Sequence, residues 1–142
     1  FSYAAMVIPS NDAFVANGNP SAHEIFDGGG NFLGANILLL GSDVLDAGTE
    51  VNDEIPANTA AFGQSMADTG VVAAGLIALH AGFNAPGSGG ILDDAAFANA
   101  DFTQNGYQLA SITVSAVPLP PAVFMLGGAL AALGFVRRRM KA

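Results

Sequence analysis

Three acids stand where turn chemistry could make them act together. Asp46 and Glu50 are separated by three residues, and Gly48 between them permits a tight turn, so one concave loop would carry both carboxylates. Asp12 follows a run that reads as a strand, and it joins the other two if that strand packs at the same end. Carboxylates gathered on loops suit calcium, which takes about six to eight oxygens at roughly 2.3–2.6 Å from side chains, carbonyls and water. Asp43, Asp53 and Glu54 are further or alternative ligands. The plain alternative is a set of solvated loop acids that keep an acidic surface soluble.

The charge distribution sharpens this choice. The formal net charge is −8, and all four basic residues (Arg137, Arg138, Arg139 and Lys141) sit at the very end. Residues 1–136 contain no Lys or Arg. Nucleic-acid binding is excluded, because a phosphate backbone needs cationic side chains to release its counterions. Lys/Arg salt bridges are excluded from the body as well. Clustered carboxylates there must be solvated, hydrogen-bonded or neutralised by a metal cation. Charged residues are 11% of the chain, against about a quarter in an average soluble domain.

The sequence shows no catalytic set and no motif for an organic cofactor. There is no cysteine, so disulfides, thiol catalysis and Cys-type zinc sites are out. Gly87-Ser88-Gly89 reads as a loop rather than a nucleophile elbow, and Gly28-Gly29-Gly30 as a turn with no Lys to meet a phosphate. His80 lies on an apolar run, where a structural role outweighs that of a base. A glycosidase would need two placed carboxylates, and nothing marks such a pair.

Short runs bounded by Gly and Pro supply the elements that would hold the loops. Residues 1–8 read as a strand closed by Pro9, residues 22–27 as a short strand, and residues 31–40 as a strand ending in an apolar run. Residues 41–57 are polar, acidic and aperiodic, so they form a loop. Residues 71–79 mix alanines with β-branched residues, and bracketing glycines favour a strand. Residues 107–114 alternate like a half-buried strand. The pattern predicts an all-β fold, an antiparallel β-sandwich.

Two segments carry a family resemblance: residues 6–14, MVIPSNDAF, and residues 41–54, GSDVLDAGTEVNDE. Pro-Ser-x-Asp-x-Phe after a strand, followed by Asp-Ala-Gly-Thr-acid, resembles the spondin N-terminal domain of eukaryotic matrix proteins and exported bacterial proteins. Residues 80–83, HAGF, and the strand at 107–114 resemble further segments of the bacterial members. The likeness covers residues 1 to about 114 and implies one domain over residues 1–116. It implies a calcium-binding β-sandwich similar to lipid-binding calcium domains, working in adhesion, with Asp12, Asp46 and Glu50 at the metal position. It implies early strands upstream of Phe1, and the lack of an initiator Met or signal peptide reads as a chain that starts inside a longer precursor. Two features depart from the eukaryotic pattern: the cysteines are missing, and Ala13 stands where a Trp precedes the Phe.

Residues 117–142 form a second unit. Pro118, Pro120 and Pro121 keep its start extended, residues 122–136 carry no polar side chain, and three arginines follow. Fifteen helical residues span about 22 Å, short of a ~30 Å hydrocarbon core, so flanking residues or snorkelling arginines must cover the rest. The Arg137, Arg138 and Arg139 cluster should stay cytoplasmic. Val117-Pro118-Leu119-Pro120, an apolar helix and a basic cluster together resemble the VPLPA variant of PEP-CTERM sorting signals, with Pro121 where the family often has Ala. That resemblance implies a single transmembrane helix and processing by an exosortase, a membrane protease of Gram-negative bacteria. It also implies an exported protein held first in the inner membrane, then at the cell surface or in extracellular polysaccharide. The expected function is a non-enzymatic calcium-binding adhesion or matrix module whose partners are extracellular polysaccharide or surface proteins. The alternatives are a structural biofilm or coat protein without a ligand, and an enzyme acting on extracellular polysaccharide.

Overall fold

The computed structural model of the chain describes residues 1–59, 70–118, 122, 125–130 and 133. Within them the fold is all-β and antiparallel. The strands are β1 (Ala4–Met6), β2 (Ala13–Ala16), β3 (Ala35–Leu40), β4 (Leu45–Asp46), β5 (Ala78–Leu79) and β6 (Gln108–Val114). One sheet has the order β1-β2-β4-β5 and the other pairs β3 with β6.

Both sheets contribute to one core, and the period-2 alternation of strands explains which residues enter it. Ala13 and Val15 of β2 point inward, as do Ile37 and Leu39 of β3, and Val7, Val44 and Phe102 complete the buried cluster. On β6 the alternation breaks, because a register shift opposite Leu39 and Leu40 inserts Leu109 as an extra residue. This bulge resets the phase, so Leu109 and Ile112, three apart, both pack against the core. The chain then turns sharply at Gly41, where a Cβ would stand 1.8 Å from the Phe102 carbonyl oxygen. Only glycine permits that approach, and it brings the half of the molecule around Phe102 onto the end of β3.

The sequence expectation holds for the runs around β3 and β6; it misses β4 within the expected loop at 41–57, and it fails for residues 22–27. Those residues make only a single bridge, Phe26 to Phe32, with the two rings edge-to-face at 5.5 Å. The reason is Asp27, whose carboxylate accepts from Gly29 N–H, Asn31 N–H and the Asn31 amide at 2.8–2.9 Å. Its side chain satisfies the local backbone as a turn and competes with a ladder.

Val117 and Pro118 are exposed and outside any strand, and residues 125–130 are helical. Among the described residues no helix is long and apolar enough to cross a membrane. Leu119, Pro120, Arg137, Arg138 and Arg139 lie outside the described residues.

Candidate functional site

The loop between β1 and β2 is built from inward-facing polar side chains. Val7 N–H donates to the Ala13 carbonyl at 2.9 Å and closes the loop. Ser10, 1% exposed, accepts from Ala13 N–H at 3.1 Å and donates to the Val7 carbonyl, which satisfies the loop from inside. Asn11 reaches the next loop: its amide donates to Asp53 Oδ1 at 3.3 Å and its carbonyl oxygen accepts from Glu54 N–H at 3.3 Å. Asp12 reaches residues 46–50.

Asp12 Oδ2 accepts three hydrogen bonds, from Thr49 N–H at 2.7 Å, Thr49 Oγ1 at 2.9 Å and Glu50 N–H at 2.9 Å. Pairing of β2 with β4 sets Ala13 against Asp46, which brings the two loops to one end of the sheet. Burial works to raise the Asp12 pKa, but the bonds from Glu50 and Thr49, with the nearby Asp46 side chain, outweigh it and hold the carboxyl below its ordinary value. Asp12 Oδ1 is different: it is buried and, among the described residues, has no hydrogen-bond partner.

Asp46 lies beside Asp12 but spends its oxygens on its own loop. Oδ1 accepts from Gly48 N–H and Oδ2 from the Asn52 amide, each at 2.6 Å. Gly48 has φ +69°, and a Cβ there would meet the backbone of Gly75 and Leu76 at 2.8–2.9 Å, so the turn needs glycine twice over. Glu50 enters the site through its backbone N–H, whereas its carboxylate is directed toward Gly70. The structure therefore joins Asp12 to Asp46, and to Glu50 only by main chain. Among the described residues no three His, Asp or Glu side chains form a group that could hold a metal ion.

Two residues matter more here than their sequence context suggested. Glu54 is 5% exposed and sits at φ +55°, a left-handed conformation that costs a non-glycine residue about 1–3 kcal/mol. Its carboxylate accepts from Asn84 N–H and from Ile91 N–H at 2.9 Å, so it fastens two distant loops to the body. Asp93 does the same for the glycine-rich loop by accepting from Gly87 and Gly89 N–H. His80 is the second. It is half-buried, with its ring against Phe102 at 5.3 Å and Phe83 at 6.0 Å. Its Nδ1 accepts from Gly82 N–H at 3.0 Å, so the neutral ring carries its proton on Nε2, a buried atom with no hydrogen-bond partner. The apolar run around His80 pointed to a structural role, but nothing in the sequence pointed to that of Glu54, since φ and long-range backbone partners leave no local pattern.

Burial pushes His80 below its ordinary pKa of 6.5, against the upward pull of Asp46, Asp12 and Glu54. Below 6.5 the unfolded chain then binds more protons than the folded one, so stability falls as pH falls toward the folded value. The Asp12 shift has the same sign at lower pH: its contribution is present above 3.8 and is lost as pH drops through the depressed folded value. Thermal unfolding from about pH 8 to pH 5 should show the midpoint falling on the acid side, with a smaller fall in His80→Gln. A wild-type midpoint that does not change over this range would contradict the His80 assignment.

A separate cleft of about 340 Å³ lies among Ile8, Pro9, Phe83, Phe97, Phe102 and Tyr107, on the apolar side of the same loop. Among the described residues neither an acid nor a histidine lines it. No family model, curated protein or solved structure matches the chain.

Proposed function

We propose that the chain is an exported, non-enzymatic calcium-binding adhesion or extracellular-matrix module. In this reading its all-β body is a sandwich resembling calcium- and lipid-binding domains, and residues 117–142 form a sorting tail with one transmembrane helix. The observation that carries the metal reading is Asp12: one carboxylate oxygen is held by the loop that contains Asp46, and the other is buried with no donor. A buried carboxylate oxygen without a partner is costly, and residues 1–136 hold no Lys or Arg to supply one. Calcium would take Asp12 Oδ1 and the Asp46 carboxylate, whose bonded oxygens keep lone pairs, and complete its shell with carbonyls and water. Glu50 would join through its side chain only by leaving Gly70.

Calcium that binds the folded state alone would add about 2.7 kcal/mol at a hundredfold excess over its Kd. The test is thermal unfolding of the full chain in mild detergent, with chelator and with calcium. Asp46→Asn should remove most of the gain, and Glu24→Gln, exposed and remote, should not. An unchanged midpoint across millimolar calcium refutes the site. A second reading, a structural coat or biofilm protein without a ligand, draws support from the internal bonds of Asp46 and from the lack of a three-carboxylate group. The same titration separates the two.

The tail reading rests on the VPLP motif, the apolar run and the arginines. It places the precursor in the inner membrane, where an exosortase cuts near Val117 and releases the body to the surface. Mass spectrometry of mature surface protein should then find no peptide from residues 122–142. Recovery of that tail from the mature surface protein of exosortase-competent cells would sink the processing step.

A further inference from the structure

Among the described residues the four-stranded sheet has two unlike unpaired edges. At one end, β5 and the extended segment before it pair with the β4 side: Ala73 N–H donates to Thr49 O, Gly75 N–H to Gly48 O and His80 N–H to Val44 O. Among the described residues no strand lies beyond β5. This edge bears bare aliphatic side chains: Leu76 is 89% exposed, Ile77 65% and Leu79 71%. At the other end, β1 is exposed along its length, and among the described residues nothing pairs with its outer side. Beside β1 runs an apolar cleft of about 280 Å³ lined by Met6, Val7, Ile8, Val15, Leu39 and Leu109.

Natural proteins guard such edges with Lys, inward charges or cover. Here there is no Lys in the body, and residues 1–11 and 70–92 hold no Asp, Glu, Lys or Arg. We propose that the β5 edge of one copy pairs with the β1 edge of the next, with side chains from residues 76–79 seated in the cleft beside β1. One chain thus carries both the aliphatic projections and the apolar recess that receives them. Each copy is otherwise acidic, at −8 overall, and two edges that carry no carboxylate of their own let two copies approach with less like-charge repulsion. Because the edges differ, the contact is head-to-tail and does not close as a pair; it extends into an open series of copies. This association is independent of calcium.

The cysteine-free chain gives a clean test. Met6→Cys and Leu79→Cys are prepared as separate full-length proteins, mixed in mild detergent and joined with a short bis-maleimide, which tolerates a small register offset. Single-cysteine proteins make every link intermolecular. Links between positions 6 and 79 should dominate over 6–6 and 79–79 links. They should be lost when the Met6→Cys protein is mixed with a Leu79→Cys protein that also carries Ile77→Lys. Sedimentation of the wild type should show a ladder of species growing with concentration. Ser21→Cys, on an exposed loop outside both edges, sets the background. Cross-linking no greater than that background overturns the proposal, as does a monomer at every soluble concentration. Predominance of 79–79 links, which marks a symmetric pair, overturns it too.

Discussion

Replacing Glu54 by alanine should lower the unfolding free energy by about 3–5 kcal/mol, a large part of the 5–15 kcal/mol typical of a domain. The carboxylate is 5% exposed and accepts from the backbone of Asn84 and of Ile91, and Ile91 is itself 2% exposed. Truncation leaves two N–H groups without an acceptor, at roughly 1–3 kcal/mol each when buried. The left-handed backbone at residue 54 remains strained in alanine and loses what held it there. Glu54→Gln keeps one carbonyl oxygen and should cost about half as much, since bonds to a charged acceptor are the stronger ones. Chemical denaturation of the full chain measures both. A loss below about 1 kcal/mol for the alanine variant would show that the two loops are held by other means.

Asp12 should separate two roles through two substitutions. Asp12→Ala removes the acceptor of three hydrogen bonds and should cost about 3–5 kcal/mol in chelator, and more in calcium, where the metal's contribution is lost as well. Asp12→Asn keeps an oxygen for Thr49 and Glu50 and turns its amide toward the place of Oδ1, where the Asp46 carboxylate lies near. Its cost in chelator should be about 1 kcal/mol. If calcium binds, the Asn variant loses the calcium response while staying folded. Equal losses for both variants in chelator would mean that the charge, not the hydrogen-bond geometry, holds the loop. A calcium gain retained in Asp12→Asn would remove Asp12 from the metal reading.

The parts of the fold that sequence made legible are those with strong periodicity. Residues 35–40 and 108–114 announce themselves by alternation or by an apolar run, and they are the longest strands. The bulge at Leu109 was not legible, because an extra residue in a ladder depends on the partner strand. Residues 22–27 look like a strand until Asp27 is seen to capture three donors of its own turn. Of residues 71–79 only Ala78–Leu79 form a regular strand; before them Gly75 N–H turns back to Ala73 O, and Gly48 and Gly75 meet backbone to backbone. At the site, sequence could name Asp12 and the loop at 46–50 from spacing and residue type. It could not foresee that Glu50 contributes its N–H while its carboxylate turns to Gly70. Nor could it tell Glu54 from its neighbours Asp53 and Asp43, because burial and a positive φ are set by the whole fold.

Asp12, Glu54 and Asp93 share one habit: each grips main-chain N–H groups belonging to other residues. Side chains at 84, 87, 89 and 91 play no part in those bonds. Drift at Asn84 therefore leaves its loop fastened, whereas Gly87 and Gly89, at φ +92° and +82°, favour glycine, Ile91 is buried, and loss of a single acid releases a whole segment. The information that maintains this end of the molecule is concentrated in a few acceptors and tight glycines, with long stretches between them free to diverge. Two such chains could share these loops and show little resemblance along the rest of their length.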